Sequence, residues 1–509
     1  MMGLRDYTIY DFICRNAVLY ADQEAIVYKD VRLTHRQFRQ KCDSLAAGLL
    51  RAGIHLGDRL AVVAHNCDEF VILYGAAAKI GAIVVPLNWR FSAAEVAYVL
   101  KDATPVFVFA GPDYRDQVLA LKSETGIEKY YTIGGGDVPA GYEPFSALYD
   151  APGDENETDI TTDTGFVIIH TAAVEGRPRG ALLSQGNICA IDFQRIASEG
   201  FGPESCHICL LPLFHIAGLA RLMAVMHAGG KNVIFERFDP EQVLKGIEAE
   251  KGTTFFNFSP ILKRLIDKHR ELGGRIDLSG LRTVGGLDQS ENLEQFRRIA
   301  PNVSFGAGFG QTEAMAVTWA PYNERPGSAG KPTIIAQVAL FDNEDQPVSV
   351  GEEGEICVRG PSVFLGYWNR VADTAHTFRG NWHHTGDIGR FDADGYLWYV
   401  KRKAEKELIK PGGENVYPAE VESVIMEHPD IAEVSVIGVP DRQWGEAVKA
   451  VCVTQPGKTI GEKDLIDFVA SRIARYKKPH SVVFVDSLPK TEKGEIDRDQ
   501  VKNEHGGKY

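Results

Sequence analysis

Short runs of β-branched and apolar residues recur along most of the chain, separated by stretches in which apolar side chains return every three or four positions. The runs at 60–64, 83–86, 106–110, 167–170 and 232–235 predict strands, and the stretches at 34–52 and 240–249 predict amphipathic helices. Alternation of this kind predicts parallel sheets covered by helices, an α/β fold. The most apolar segment, 70–87, carries Lys79 and is broken by Gly75 and Gly81, so it predicts a buried helix running into a strand rather than a membrane span. CHICLLPLF, at 206–214, predicts a strand with alternating faces.

From Val338 the texture changes to short strands separated by Gly, Asp and Asn, as in VALFDNEDQPV, GEICVRG and FDADGYLWYV. This predicts a small β-rich unit closing a large multi-sheet N-terminal domain. Beyond the charged stretch 401–410, VESVIMEHP is helix-like, VSVIGVP strand-like and DLIDFVASRIARY helix-like, which predicts a small α+β C-terminal domain. The expected division is 1–402 and 403–509. No internal repeat interrupts this organisation.

Charge narrows the function classes. The 55 Lys and Arg against 69 Asp and Glu leave a net charge of −14 with no concentrated basic run, which disfavours nucleic acid and anionic lipid as partners. MMGLRDYTIYDF lacks the apolar stretch of a secretory signal, and a cytoplasmic location without a transmembrane segment is expected. The eight cysteines lie in hydrophobic stretches, and the lone Cys206–Cys209 spacing has no second pair to complete a zinc site.

Three glycine-rich segments carry candidate chemistry. HTAAVEGRPRG, 170–180, follows the strand-like GFVII and precedes ALLSQGN, a helix start; such a turn presents backbone N–H groups and Arg179 to a phosphate, although it is not a Walker loop and a purely structural turn is the plainer alternative. GAGFGQTE, 306–313, keeps the backbone bare around Phe309 for a flat base or a phosphate and ends in Thr312 and Glu313, a hydroxyl beside a carboxylate able to hold magnesium. HHTGDIGRFDADGY places Asp387 where it can accept from two ribose hydroxyls or merely cap a turn.

In order and separation these segments resemble the adenylate-forming superfamily, which includes acyl-CoA synthetases, luciferases and the adenylation domains of peptide synthetases. LPLFHIAGL (211–219), GEICVRG (354–360), KELIKPGGENVYPAEVE (406–422), ARYKKP (474–479) and LPKTEKGEIDR (488–498) fall in the family's order as well, so the resemblance spans the chain. It implies a small, mobile C-terminal domain that rotates between two half-reactions: a carboxylate attacks the α-phosphate of Mg-ATP, and the thiol of coenzyme A then attacks the acyl-adenylate. By the same resemblance Thr171, Gly176 and Arg179 meet the β- and γ-phosphates, and Gly308 and Phe309 face the adenine. Thr312 touches the α-phosphate, Glu313 ligates magnesium, and Asp387 and Arg402 hold the ribose. Gly285 and Gly286 line the adenine and acyl pocket. His215 takes a positioning role at the thioester side, unless it is simply a hydrogen-bonded core histidine. Gly412 and Gly413 border the pantetheine tunnel, and Lys477 is either a coenzyme A phosphate contact or a solvated helix end.

The sequence departs from the family at three places. The phosphate loop reads TAAVEGRPRG, without the usual hydroxyls and with Glu175, although Arg179 keeps the positive charge of the usual lysine. The lysine of the late motif, which bridges the substrate carboxylate and the α-phosphate, is replaced by Glu495; Lys493 or Lys490 is the expected substitute, with Lys493 preferred on proximity. The hinge VKRKAEKELIK carries about two extra residues, so the pivot is Lys403, Glu405 or Lys406, with Lys406 marked. The reading is an AMP-forming carboxylic acid–CoA ligase for an apolar acyl acid, fatty acids included, or an aromatic one. Transfer to a carrier-protein thiol, or a nucleotide-binding protein with impaired adenylation, are the alternatives. Within the wall segments 214–219, 257–260, 285–289 and 306–310 no basic residue obviously awaits a second carboxylate, so dicarboxylic acids are less expected. A homodimer is the expected assembly.

Overall fold

The computed structural model describes residues 6–149, 159–171, 178–402, 408–441, 444–491 and 496–507. Two large sheets build the N-terminal domain. The first, of seven strands, runs in the order Gly366–Tyr367, Arg179–Ser184, Gly165–Thr171, Ile83–Pro86, Arg59–Val63, Phe107–Ala110 and Lys129–Thr132. The second, of nine strands, runs Lys331–Pro332, Thr318–Pro321, Ser304–Ala307, Thr283–Leu287, Thr254–Phe258, Cys206–Cys209, Lys231–Ile234, Glu24–Tyr28 and Val31–Thr34. Their centres are parallel, as the apolar runs predict.

The helices Asp68–Ile80 and Ile216–His227 join the two sheets in one core. Phe166 and Val84 of the first sheet and Ile208 and Phe255 of the second belong to the same hydrophobic cluster as Val71, Leu73, Leu219 and Met223 of these helices. Every residue of Ile216–His227 is buried, which is why its sequence, IAGLARLMAVMH, has no polar face. The segment 70–87 forms the expected buried helix and strand, Asp68–Ile80 and Ile83–Pro86. No helix among the described residues is long and apolar enough to cross a membrane.

Two expectations are corrected. The strand predicted over 206–214 is only Cys206–Cys209, and all four residues are buried because the sheet is covered on both faces. The helix predicted through Tyr476 is Glu462–Ala470 and stops there; Arg475–Lys477 form one separate turn.

An antiparallel four-stranded sheet, Gln337–Phe341, Glu353–Arg359, His383–Phe391 and Leu397–Arg402, closes the large domain around its own cluster of Leu340, Ile356, Val358 and Leu397. The C-terminal domain packs the helices Pro418–Met426 and Glu462–Ala470 on a three-stranded sheet, Ile431–Asp441, Gly445–Thr454 and Ser481–Phe484. The stretch 403–407 that holds the expected hinge, Lys406 included, lies outside the described residues.

Candidate functional site

Strand ends from both large sheets and the four-stranded sheet meet beneath the C-terminal domain, and most of the residues singled out above collect there. The strand Gly165–Thr171 ends at Thr171, which stands opposite Arg179 at the start of the returning strand. Gly176, in the loop between them, lies outside the described residues. Thr171 Oγ1 is 3.4 Å from Glu313 Oε1, and Tyr367 donates its hydroxyl to the same oxygen at 2.9 Å. The Arg179 guanidinium lies over the Tyr367 ring, 4.2 Å from its centroid, and 3.7 Å from Asp373. Burial, then the neighbouring Glu313 charge, pushes the Tyr367 hydroxyl well above its ordinary pKa, so it remains a donor. Thr171, Arg179 and Glu313 are thus one group, organised by a tyrosine the sequence reading did not single out.

Asp387 and Arg402 face each other across neighbouring strands of the four-stranded sheet and form an ion pair at 2.9 Å. Asp387 is 1% exposed, and its carboxylate also accepts from Gln311 and, at 3.4 Å, from Tyr399. Gln311 fixes the loop after Phe309 to this sheet through a second bond to the Thr385 carbonyl at 2.9 Å. Arg402 in turn reaches Tyr417 of the C-terminal domain at 3.4 Å. Burial would lower the guanidinium pKa, but Asp387 first, then Tyr417, raise it above its ordinary value, so Arg402 is a permanent cation.

Between the helix Gln185–Glu199 and the strands Thr254–Phe258, Thr283–Leu287, Ser304–Ala307 and Thr318–Pro321 lies a cavity of about 140 Å³. Gly285, Gly286 and Gly308 form its bare walls, and Phe256, Phe258, Phe309 and Trp319 supply the aromatic surface. Gly286 sits at φ 113°, and a Cβ there would lie 1.7 Å from the Asn257 carbonyl oxygen, so this wall tolerates no side chain. Gln194, Arg195, Ser198 and Glu199 of the helix face the same space, which the wall segments of the sequence did not include.

His215 is not a core histidine. Its side chain is 35% exposed at the start of the helix Ile216–His227, and Nε2 lies 3.7 Å from Glu414 of the C-terminal turn. Glu414 also pairs with Arg90 and accepts from Asn88 at 3.4 Å. Burial would raise its carboxyl pKa, but His215, Arg90 and Asn88 together hold it below its ordinary value. Thr312, Thr171, His215 and Glu414 border a small cavity of about 50 Å³. A larger one, of about 710 Å³, opens between the domains and is lined by His215, Gly412 and Trp444 together with Arg237, Arg475 and Lys478. Gly412, at φ 60°, packs so closely on Trp444 that a Cβ would lie 2.9 Å from its ring, and Gly413 follows in the same turn.

Lys477 corrects an expectation. It borders the small cavity, but its ammonium is 1% exposed and bonded to Glu95 at 2.5 Å and Glu420 at 2.6 Å, so it joins the two domains instead of offering charge to a ligand. Lys478 and Arg475 are the basic residues of that segment that face the large cavity. Lys493 and Glu495 lie outside the described residues.

The profile of the AMP-binding enzyme family matches residues 14–368, and that of the AMP-binding enzyme C-terminal domain matches 420–495. The chain belongs to this family. An indoleacetate–CoA ligase of Aromatoleum aromaticum is 34% identical over 97% of both chains, and a feruloyl-CoA synthase of an Amycolatopsis species is 33% identical over 99% of this chain and 100% of its own. A solved structure from Rhodopseudomonas palustris that carries the provisional name long-chain-fatty-acid CoA ligase is 45% identical, with a TM-score of 0.74 over 79% of this chain and 100% of that one. The protein is an AMP-forming acid–CoA ligase with a large N-terminal and a small C-terminal domain, as its motif order implies.

Proposed function

We propose that this ligase activates a compact aromatic acid as its adenylate and passes the aryl or arylalkyl acyl group to coenzyme A. The carrying observation is the cavity of about 140 Å³ walled by glycine and aromatic side chains. A space of about 150 Å³ holds a benzene ring, so this cavity suits a ring better than a long alkyl chain. The names of the indoleacetate and ferulate relatives support the same class of acid.

In the first half-reaction the acid enters already ionised, and its carboxylate oxygen attacks the α-phosphorus as pyrophosphate leaves. Thr171 and Arg179 receive the β- and γ-phosphates, Thr312 the α-phosphate, Asp387 and Arg402 the ribose, and Phe309 with Gly308 the adenine. The work of the protein is to position two anions against each other and neutralise the charge that develops. Mg²⁺ fits Glu313, a single buried carboxylate beside two hydroxyls, because this ion takes few protein ligands and completes its shell with phosphate oxygens. When bound it neutralises triphosphate charge. Lys493 bridges the acid and the α-phosphate in place of the lysine that Glu495 displaces. Lys406 is the pivot between residues 1–402 and 403–509.

In the second half-reaction the coenzyme A thiolate attacks the adenylate carbonyl and AMP leaves. The arrangement of the domains favours this step. The Gly412–Gly413 turn borders the large cavity, His215 is steadied by Glu414, and Arg237, Arg475 and Lys478 offer charge to the nucleotide end of coenzyme A. A cytoplasmic, reducing location is supported by eight free cysteines, of which seven are buried. A two-fold dimer completes the reading on general grounds.

The test is acid-dependent ATP–pyrophosphate exchange across aromatic and aliphatic acids, followed by thioester formation with free coenzyme A. Exchange and thioester formation with small aromatic acids are expected. Exchange without use of free coenzyme A would favour a carrier-protein thiol. No exchange with any acid, by protein that still binds ATP, would overturn the ligase.

A further inference from the structure

The side of the acid cavity formed by the helix Gln185–Glu199 carries charge out of proportion to its apolar surroundings. Glu199 accepts from Arg195 at 3.2 Å through one oxygen and from Arg221 through the other. Arg221 comes from the wholly buried helix, with its side chain 0% exposed, and Arg195 is 8% exposed. The Phe256 ring, which lines the cavity, has the Arg195 and Arg221 guanidinium carbons 5.5 Å and 5.3 Å from its centroid. Two cations therefore share the Glu199 carboxylate, and the other buried carboxylate that feels Arg195, Asp192, is paired with His227 at 2.9 Å.

The hydrogen bonding is unbalanced in the same direction. Among the described residues Arg195 Nε and Arg221 Nε and Nη2 are buried without an acceptor, three donors against one unmet acceptor, Gln194 Oε1. Arg221 Nη2 abuts the cavity wall at Gly285, where an added Cβ would lie only 2.3 Å away. Thr254 takes up only one further bond from Arg221, at 3.4 Å. The imidazole beside them offers no anion: His207 is bonded to Asn232 at 2.8 Å, and burial, then Arg221, lowers its pKa to about 3, which keeps it neutral. Unmet donors on two guanidinium groups at the edge of a ring-sized cavity suit an anionic acceptor. A phenol would supply one acceptor but no charge.

We propose that the acid carries a second carboxylate, on the ring where the acid is aromatic, and that Arg195, steadied by Glu199 and Arg221, receives it. The inference rests on the reading of this cavity as the acid site. It reverses the sequence expectation against dicarboxylic acids, because Arg195 lies far from the four wall segments and Arg221 just beyond the end of one. Arg195, which lines the cavity, is the specificity-determining residue; Arg221 and Glu199 are positioning residues behind it.

The experiment measures kcat/KM for matched pairs of acids: phenylacetate against its ring-carboxylated isomers and hydroxyphenylacetates, and hexanoate against adipate. Wild type, Arg195→Met and Arg195→Lys are compared. A charge-assisted hydrogen bond predicts preference for one carboxylated isomer over its parent by roughly 100-fold. Arg195→Met should collapse that ratio, mostly through KM, and Arg195→Lys should restore part of it. Preference for the unsubstituted ring, or a ratio that Arg195→Met leaves unmoved, would overturn the inference. If Arg195→Met fails to fold, the wild-type ratio and Arg195→Lys decide in the same way. Adipate favoured over hexanoate with no aromatic acid accepted would sink the aromatic reading yet uphold the second carboxylate, so the two ideas fail separately.

Discussion

Glu313 and Gly286 show how single residues set this site. Glu313 is fixed by two hydroxyls, so Glu313→Gln keeps its shape and bonding capacity while removing the charge that suits Mg²⁺. The expected result is a fall in ATP–pyrophosphate exchange of roughly 10²- to 10³-fold and a higher Mg²⁺ requirement, read by titrating the metal at fixed ATP. Gly286 acts through shape instead of charge, since at φ 113° and against the Asn257 carbonyl it forms the cavity wall. Gly286→Ala should cost about 1–3 kcal/mol from backbone strain alone, seen as a lower melting temperature together with weaker acid binding. Residues of this kind were legible in the sequence because each lies in a contiguous motif. Tyr367 and Gln311 were not, since each earns its place only through a partner 54 or 76 positions away, and neither was Arg195, whose partner Glu199 is shared with Arg221 across 22 positions.

Elements were legible where periodicity and burial agree. The helix His35–Arg51 shows both, with its cap at Thr34, and so does the buried segment that became Asp68–Ile80. The helix read through DLIDFVASRIARY was overextended because Leu465, Val469 and Ile473 keep four-residue spacing and all enter the same core, although Ile473 reaches it from a turn beyond the helix end. The wholly buried helix Ile216–His227 is the element most exposed to damage, since it packs against both large sheets and carries Arg221 to the cavity wall at Gly285. Met223, at 0% exposure, is its test position. Met223→Ala should destabilise the large domain by about 2–5 kcal/mol. Denaturant melts followed by far-UV and near-UV signals would measure it, and a loss below about 1 kcal/mol would mean that the layer between the sheets repacks freely.

At the scale of the whole molecule, the two domains are held in register by buried charge. Lys477 of the small domain lies between Glu420 of its own domain and Glu95 of the large one, and Glu95 also accepts from the backbone N–H of Ala474 at 3.1 Å. Burial would lower the ammonium pKa, but Glu420 and Glu95 hold it above its ordinary value, so its contribution is complete at neutral pH and disappears only as pH rises through that raised value. Glu414, held below its ordinary pKa against Arg90 and His215, acts on the other flank: its contribution is present at neutral pH and lost as pH falls below the ordinary carboxylate range. Together they give a window around neutrality in which this arrangement is favoured. Lys477→Met would leave Glu95 and Glu420 facing each other without a cation, and breaking a buried pair in this way costs about 3–5 kcal/mol. On the proposed function, in which the Gly412–Gly413 turn beside His215 serves the second half-reaction, transfer of preformed acyl-adenylate to coenzyme A should slow by at least roughly 10-fold while ATP–pyrophosphate exchange persists. Adding Glu420→Gln removes the repulsion and should recover part of the transfer rate. A variant that loses exchange and transfer alike, with no recovery from the second substitution, would show that Lys477 supports the fold of the small domain and not its docking.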